Sequence, residues 1–485
     1  MYVKDVTTDH GGLIIMTLDA LSGLAKEKKA EFIDLKFCDL AGYWHHITLP
    51  ISALGQNLFK TGVGVDGSAL PGFSSIERGD MLVIPDPGAV FMDPFFERPT
   101  LSLLGDIMES ADRVVPYSRN PRRVAADAEK YLTKSVRGAT AVLGPEFEFY
   151  VFDKVNFFQG PQHAFYSLDA AEAVWNAGRD DESLGYKIPY KKGYHVSPPM
   201  DRMFNLRSEI SVLLAEAGVR LKYHHHEVGG GGQHEIEIEF APLLKIADRT
   251  MLVKYIVKNH CFRMNKSATF MPKPLFNEPG SGLHVHQYLS DSKGSMFYEK
   301  DGLCRFSQVG LHYIGGVLAH ADSLLALTNP STNSYKRLVP GFEAPVAGTY
   351  SVGNRTACVR IPGYQRDPAM MRFEFRPPDG TMNPYLAYAA MLMAGIDGIK
   401  NRIDPGLPLD QNLDKLTSSD LAKIHQLPTS LTKALNALEA DHDYLLAGGV
   451  FTEDLLENWV AIKRQEVDQI RIRPTPYEFE MYYDS

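Results

Sequence analysis

The sequence predicts an α+β protein with a small sheet-and-helix domain followed by a larger domain. Three observations support this fold class. The chain has 485 residues, of which 44% are hydrophobic, so two domains with cores of their own are expected. Its first 120 residues contain one helical pattern among several strand patterns. Later strand patterns combine an apolar face with a face of Glu, His and Arg, which indicates a sheet that packs on a core and lines an ionic cleft.

The bulk composition argues against several classes of protein. The net charge is −9 and no Lys/Arg-rich block occurs, which argues against a nucleic-acid partner. The four cysteines are scattered without a C-x-x-C pair, as expected in a reducing cytosol. The N-terminus is acidic and unlike a signal peptide, and no apolar run reaches membrane-spanning length. We therefore expect a cytoplasmic protein without a nucleic-acid or membrane partner.

The predicted first domain contains one helix and several short strands. Apolar residues recur at helical spacing over residues 13–29, and lysines lie in the last turn. Strands are predicted at residues 32–38, 43–49, 81–84 and 100–104, and the first of them alternates apolar and polar residues. Residues 61–68 are rich in glycine but lack the ending of a P-loop, so their composition predicts a mobile loop.

The predicted second domain begins where Asn120-Pro121 offers a helix cap and a first-turn proline. The predicted domains are therefore residues 1–120 and 121–485. Helices of the second domain are predicted over residues 124–134, 204–217, 243–265, 304–327, 429–438 and 453–467.

The strand pattern that matters most for function is residues 144–150. A side-chain period of two places Glu146 and Glu148 on one face and Phe147 and Phe149 on the other. For one such strand alone, an edge strand with a solvated charged face is the commoner explanation. The pattern recurs, however, at residues 235–240, 284–286 and 372–376. This recurrence favours a shared charged cleft.

The residue types in these strands indicate the chemistry of the cleft. Carboxylates with an occasional histidine and no cysteine suit Mg²⁺ or Mn²⁺, and arginines suit phosphate or carboxylate ligands. Residue types alone thus predict a metal-dependent enzyme that handles phosphates, with a carboxylate–metal hydrolase as an alternative. The adjacent His224, His225 and His226 would point alternately to opposite faces of a strand. We expect most of them to be structural and only Glu227, which follows them, to be a ligand.

Residues 333–345 closely resemble the signature loop of glutamine synthetase, type I. Further matching motifs occur in family order over nearly the whole chain, at residues 65–68, 144–149, 225–228, 232–235, 280–286, 354–355, 372–376 and 383–385. The resemblance implies a β-grasp-like first domain and a catalytic domain with a curved antiparallel sheet flanked by helices. It also implies ATP-dependent ligation of ammonia to L-glutamate through γ-glutamyl phosphate.

The resemblance further implies two divalent cations, Mg²⁺ or Mn²⁺, in each active site, with ATP as co-substrate. One cation is expected at Glu148, Glu227 and Glu235, and the other at Glu146, His284 and Glu374. The residues implied for glutamate binding are Gly280, Arg337, Glu343 and Arg376. Those implied for ATP binding are Phe240, His286, Arg355, Arg360 and Arg372.

Catalysis is expected to involve Asp66, Glu343 and Arg355. Asp66 matches the ammonium-binding aspartate of the family, and Glu343 matches the glutamate of the loop, or flap, that closes the site and accepts a proton. Arg355 resembles the residue that reaches the transferred phosphoryl group. The family also implies a dodecamer of two hexameric rings, in which the loop carrying Asp66 reaches the cleft of the next subunit.

A few positions depart from the family pattern, and two alternatives for the function stay open. Lys222 stands where some relatives have a nucleotide-contacting glutamate, and the other departures near the substrates are Ala69, Pro279 and Tyr288. Asp414 stands where relatives controlled by adenylylation carry a tyrosine, so we expect no adenylylation. The alternatives are a γ-glutamyl ligase for methylamine or a polyamine, and a non-catalytic scaffold related to glutamine synthetase.

Overall fold

The computed structural model describes residues 7–8, 14–15, 17–109, 114–178, 184–342, 344–411, 419 and 424–485. A short strand pair, Thr7–Thr8 with Ile14–Ile15, precedes the first domain. The six-stranded sheet of that domain has the order Trp44–Pro50, Phe32–Cys38, Thr100–Glu109, Asp80–Met92 and Val63–Asp66, with Val115–Pro116 paired to Thr100–Glu109. Phe32–Cys38 runs parallel to Thr100–Glu109, and the other pairs are antiparallel.

The first helix spans Leu18–Glu27 and is shorter than the predicted residues 13–29. It begins there because the Thr17 hydroxyl accepts a hydrogen bond from the Ala20 backbone N–H at 3.2 Å. Residues 13 and 16 lie outside the part of the chain that the structure describes.

The strand Phe32–Cys38 is buried on both faces, although its sequence alternates. The Lys36 Nζ atom lies 2.6 Å from Asp34 Oδ2 and 3.2 Å from Asp93 Oδ2. It also lies 4.8 Å from the ring centre of Tyr255, which belongs to the second domain. Tyr255 of the second domain therefore covers part of the polar face of this strand.

The prediction of a mobile loop at residues 61–68 is wrong. Val63–Asp66 is an edge strand that pairs with Asp80–Met92, and residues 67–69 form a 3₁₀ turn. Gly62 allows the chain to enter this strand, because its φ of +64° is unfavourable for other residues. The strand depends on a partner strand further along the chain, which composition does not reveal.

The second domain is built on a ten-stranded sheet. The strand order is Leu221–His226, Gln233–Ile238, Thr140–Phe152, Leu283–Asp291, Phe373–Phe375, Ala357–Ile361 and Ala347–Val352, with Ala241–Pro242 and Ser267–Thr269 paired to Thr140–Phe152 and Gly294–Ser295 paired to Leu283–Asp291. All pairs are antiparallel except Ala347–Val352 with Ala357–Ile361. A separate hairpin joins Lys154–Gln159 to Ala164–Asp169.

Helices flank this sheet, as predicted. They span Pro121–Ser135, Phe204–Glu216, Leu243–Arg263, Gln308–Ala319, Ala321–Thr328, Ser334–Arg337, Pro384–Asn401, Leu431–Ala440, Asp443–Leu446, Glu453–Arg471 and Pro476–Tyr482. The single helix predicted over residues 304–327 is in fact two helices separated at His320. Among the described residues, no helix has the length and hydropathy needed to span a membrane.

The helix Pro384–Asn401 lies at the centre of the domain and is buried on nearly all sides. It contacts the helix Gln308–Ala319 closely. A Cβ atom on Gly316 would lie 2.1 Å from the Ala394 carbonyl oxygen and 2.7 Å from Gly398 Cα. Both glycines are therefore needed for this close helix packing.

An ion cluster joins the two domains at the predicted boundary. The Arg122 guanidinium lies 2.6 Å from Asp86, 3.3 Å from Asp106 and 3.0 Å from Asp248. Pro121 is the first helical residue, as predicted, but the Asn120 side chain makes no cap and donates to Asp106 at 3.2 Å instead. The boundary at residue 120 itself stays a prediction.

His320 connects three segments of the second domain. Its Nδ1 atom lies 2.9 Å from Asp441 Oδ2, and its Nε2 atom lies 3.1 Å from Asp397 Oδ2. Its ring stacks on Tyr444 with the ring centres 4.0 Å apart. Burial lowers the pKa of His320, but the hydrogen bonds to Asp441 and Asp397 outweigh burial and raise the pKa above its ordinary value.

We expect His320 to make stability depend on pH. A raised pKa in the folded state means that the contribution is complete below the unfolded pKa and is lost as pH rises through the folded pKa. The free energy of unfolding should therefore fall as the pH rises and the ring loses its proton. Urea unfolding at a series of pH values above 6 measures this effect. In His320→Gln this part of the pH dependence should vanish, and an unchanged profile would contradict the assignment.

Candidate active site

The acidic face of the central strand is arranged as the sequence predicts. Glu146 and Glu148 are partly buried on one face of Thr140–Phe152, whereas Phe147 and Phe149 are fully buried on the other. Pairing with neighbouring strands extends this face sideways. The pairs in register are Glu146 with His284, Glu146 with Glu237, Glu148 with Glu235, His286 with Glu374, and Glu374 with Arg360.

The first group of potential metal ligands is Glu146, His284 and Glu374. Their ligand atoms all lie within 4.8 Å of one another. His284 Nδ1 is 3.2 Å from Glu146 Oε2 and 3.5 Å from Glu374 Oε1. These are the three residues that the sequence predicts for one of the two cations.

The second group is His225, Glu227 and Glu235, again with ligand atoms within 4.8 Å of one another. His225 Nε2 lies 3.4 Å from Glu235 Oε1, and His225 Nδ1 lies 3.9 Å from Glu227 Oε1. The predicted set has Glu148 instead of His225. Glu148 lies between the two groups, since its Oε2 accepts a hydrogen bond from the Gly282 N–H at 2.6 Å and its Oε1 is 3.9 Å from His284 Nδ1.

The second group has an excess of negative charge. Burial, together with the neighbouring carboxylates of Glu148 and Glu235, raises the pKa of Glu227 to about 8. Burial, followed by Glu146 and Glu148, also raises the pKa of Glu235 well above its ordinary value. Oxygen and imidazole donors with this uncompensated charge fit a hard divalent cation.

In the first group, arginines and histidines balance the negative charge of the carboxylates. Glu374 Oε1 and Oε2 each accept a hydrogen bond at 2.5 Å, from Arg376 and Arg360 respectively. Burial would raise the pKa of Glu374, but Arg376 and the nearby imidazoles outweigh burial and lower it to about 2. Burial likewise opposes ionisation of Glu146, but His286 and His284 hold its pKa well below its usual range.

The predicted glutamate-binding residues lie beside the first group. Arg337 is buried, donates to the Pro377 carbonyl at 2.6 Å and lies 3.3 Å from His284 Nε2. A Cβ atom on Gly280 would lie 2.7 Å from Arg337 Cγ, so a glycine is needed at this position. The carbonyl of Gly280 accepts a hydrogen bond from Gln233 at 2.9 Å.

The predicted ATP-binding residues lie at the side of the sheet face where Glu146 meets His286. His286 Nε2 is 2.7 Å from Glu146 Oε1. The ring of Phe240 lies 6.1 Å from the His286 ring and 5.1 Å from the Arg372 guanidinium, measured from ring centres. The Nε atoms of Arg360 and Arg372 are buried and have no hydrogen-bond partner among the described residues. Such donors suit the oxygens of a phosphate.

Three predicted residues require separate mention. Asp66 is exposed at the end of an edge strand of the first domain, where it accepts hydrogen bonds from the Ser68 N–H at 2.9 Å and hydroxyl at 2.6 Å. The Ser68 hydroxyl contributes most to lowering the pKa of Asp66. Arg355 is exposed, and its carbonyl accepts a hydrogen bond from Arg376 at 3.0 Å. Glu343 and Asp414 lie outside the described residues.

Sequence reasoning missed two residues of the acidic face. Glu237 pairs in register with Glu146, and His225 pairs in register with Glu235. The alternation of Glu235 and Glu237 already showed that both share a face. Of the three adjacent histidines, His225 is the one that joins a group of potential metal ligands. His226 instead forms an internal pair with Glu172 at 2.9 Å.

The fold and this cleft define a two-domain α+β enzyme with an acidic, imidazole-containing site. The chain matches the glutamine synthetase beta-Grasp domain over residues 29–110 and the glutamine synthetase catalytic domain over residues 118–482. A glutamine synthetase from Frankia alni is 48% identical over 462 residues, which cover 95% of this chain and 97% of the relative. The chain therefore belongs to the glutamine synthetase family.

Solved structures agree with this placement. A cryo-electron microscopy structure of Plasmodium falciparum glutamine synthetase has a TM-score of 0.87 at 26% identity and covers 96% of this chain and 99% of its own. A GmaS–ADP complex has a TM-score of 0.79 at 30% identity with the same coverage of 96% and 99%. The predicted family, the β-grasp first domain and the enzyme class, an ATP-dependent glutamate–ammonia ligase, are confirmed.

Proposed function

We propose that this chain makes glutamine at the cleft described above, by two chemical steps. The γ-carboxylate oxygen of L-glutamate attacks the γ-phosphorus of ATP, and ADP leaves. The product is γ-glutamyl phosphate. Ammonia then attacks the acyl carbon, the carbon–oxygen bond to phosphate breaks, and inorganic phosphate leaves.

Two divalent cations, Mg²⁺ or Mn²⁺, are part of this proposal. One cation would be held by Glu148, Glu227 and Glu235, with His225 beside them. The other would be held by Glu146, His284 and Glu374. Bound cations would neutralise the two anionic substrates and favour in-line phosphoryl transfer. The donors present fit such ions, because the described ligands are carboxylates and imidazoles only.

The protein's own groups bind and orient the substrates. The carboxylates of glutamate would be bound by Arg337 and Arg376, with the backbone at Gly280. The nucleotide phosphates would be contacted by Arg355, Arg360 and Arg372. Phe240 and His286 would contact the rest of the nucleotide.

Ammonia requires a group that binds ammonium and a group that removes its proton. Asp66 would bind the ammonium ion, and Glu343 would accept the proton and close the site against water. Because Asp66 belongs to the first domain, we propose that it serves the cleft of a neighbouring subunit in a dodecamer of two hexameric rings, located in the cytoplasm.

One observation carries the proposal. Two groups of metal-binding donors lie on one sheet face, and buried arginines adjoin one of them. Anionic substrates that repel each other need this combination of metal-binding donors and fixed positive charge to react.

Phosphate release during steady-state turnover tests the proposed amine. With glutamate, ATP and Mg²⁺, release should depend on ammonium and should match glutamine formation. Methylamine and a polyamine should give little product at equal concentration. Faster product formation with methylamine would favour the alternative γ-glutamyl ligase, and phosphate release that does not depend on any amine would contradict both.

A further inference from the structure

A third group of potential metal ligands lies on the same sheet face. It consists of Glu146, Glu237 and His286, whose ligand atoms lie within 4.8 Å of one another. Glu146 is shared with the first group, whereas Glu237 and His286 belong to neither of the two cation sets. Both Glu237 and His286 are buried, so a charge at this point is poorly screened by water.

A cation of the protein itself is already present at this group. The Lys222 ammonium forms an ion pair with the Glu237 carboxylate. It also lies 3.9 Å from the ring centre of Phe240, a favourable distance for a cation–π contact. Lys222 therefore has two partners that hold its charge beside the third group.

The backbone explains how Lys222 reaches this position. The pairing between Leu221–His226 and Gln233–Ile238 shifts register between Leu221 and Tyr223. Such an irregularity leaves one residue of a strand out of the ladder and redirects its side chain. Lys222 is that residue, and it points towards Glu237 across the strand pair.

We propose that Lys222 is a built-in cation that keeps the group of Glu146, Glu237 and His286 free of a metal ion. A divalent cation bound to Glu237 would lie within a few ångströms of the ammonium, and the repulsion would oppose its binding. Displacing Lys222 would also break its ion pair and its contact with Phe240. This part of the cleft thus has a positive charge that does not depend on the metal concentration.

The inference rests on the proposed function only in that two cations bind elsewhere in the cleft.

The test of the inference is the number of Mn²⁺ ions bound per chain without nucleotide, measured from the electron paramagnetic resonance signal of free Mn²⁺. Lys222→Met removes the charge but keeps an unbranched chain against Phe240. We expect this variant to bind one Mn²⁺ more than the unmodified protein.

The double variant Lys222→Met/Glu237→Gln is the matched control. It lacks both charges of the ion pair and should return to the count of the unmodified protein. Lys222→Gln serves as a second single variant, and circular dichroism identifies any variant that does not fold. An unchanged count in both single variants would overturn the inference, as would an extra ion that persists in the double variant.

The two claims fail in different ways. The count for the unmodified protein tests the proposed pair of cations, whereas the difference between variant and unmodified protein tests the role of Lys222. If the unmodified protein does not bind two Mn²⁺ ions but Lys222→Met binds one more than it does, only the proposed pair of cations is overturned. If the unmodified protein binds two Mn²⁺ ions and Lys222→Met binds the same number, only the proposed role of Lys222 is overturned.

Discussion

Glu374→Ala is expected to lower the rate of glutamine formation at least about 100-fold, since loss even of groups that support metal ligands costs 10- to 100-fold. Glu374 is fully buried and lies in the first group of potential metal ligands. It also accepts hydrogen bonds from Arg360 and Arg376, whose charges would lose a partner. Coupled measurement of glutamine and ADP checks the rate.

Two companion variants separate chemistry from folding. Glu374→Gln keeps the size of the side chain and part of its hydrogen bonding, and we expect it to fold but to stay nearly inactive. Glu239→Ala removes an exposed carboxylate just beyond the Gln233–Ile238 strand and should retain activity. Normal turnover by Glu374→Ala would refute its assignment as a metal ligand.

Asp66→Ala is expected to lower kcat/KM for ammonium about 100-fold, a typical effect of removing one electrostatic contact in an active site. Binding of ATP should be unchanged, because Asp66 lies in the first domain and the groups assigned to the nucleotide lie in the second. Initial rates at varied ammonium, together with equilibrium binding of ATP, measure both quantities. Glu77→Ala is the matched control, because Glu77 is an exposed acid in the loop that follows.

Mixing variants tests whether Asp66 acts in a neighbouring subunit. Subunits of Asp66→Ala and Glu374→Ala, dissociated and reassembled together, should regain activity, because random assembly leaves about a quarter of shared sites with both residues intact. If each chain used its own Asp66, the mixture would be as inactive as its parents.

The parts of the site that could be predicted are those set by local periodicity. The alternation of Glu146 and Phe147 requires only that the segment is a strand, and it is confirmed. The recurring pattern at residues 235–240, 284–286 and 372–376 then predicted the neighbouring strands, and the resemblance to the family implied the roles of their residues. Glu237 was not included, although its alternation with Glu235 already placed it on this face. His225 was not included because the register of its strand cannot be read from the pattern.

Long-range contacts explain two further differences. Val63–Asp66 is a strand because it pairs with Asp80–Met92. The helical pattern at residues 304–327 is interrupted at His320, whose partners Asp397 and Asp441 are distant in sequence. Both of these differences arise from a partner that is not a neighbour in sequence, whereas the first helix is shortened by the local cap at Thr17.

The covered polar face of Phe32–Cys38 has a consequence for how the chain can be divided. Lys36 and Asp93 each contact Tyr255, and Arg122 joins Asp86 to Asp248 across the boundary at residue 120. A fragment ending there would lack Tyr255, which contacts both the buried Lys36 ammonium and the Asp93 carboxylate. Because these contacts join the two domains, we expect them to unfold together as one cooperative unit, although they are separate in sequence.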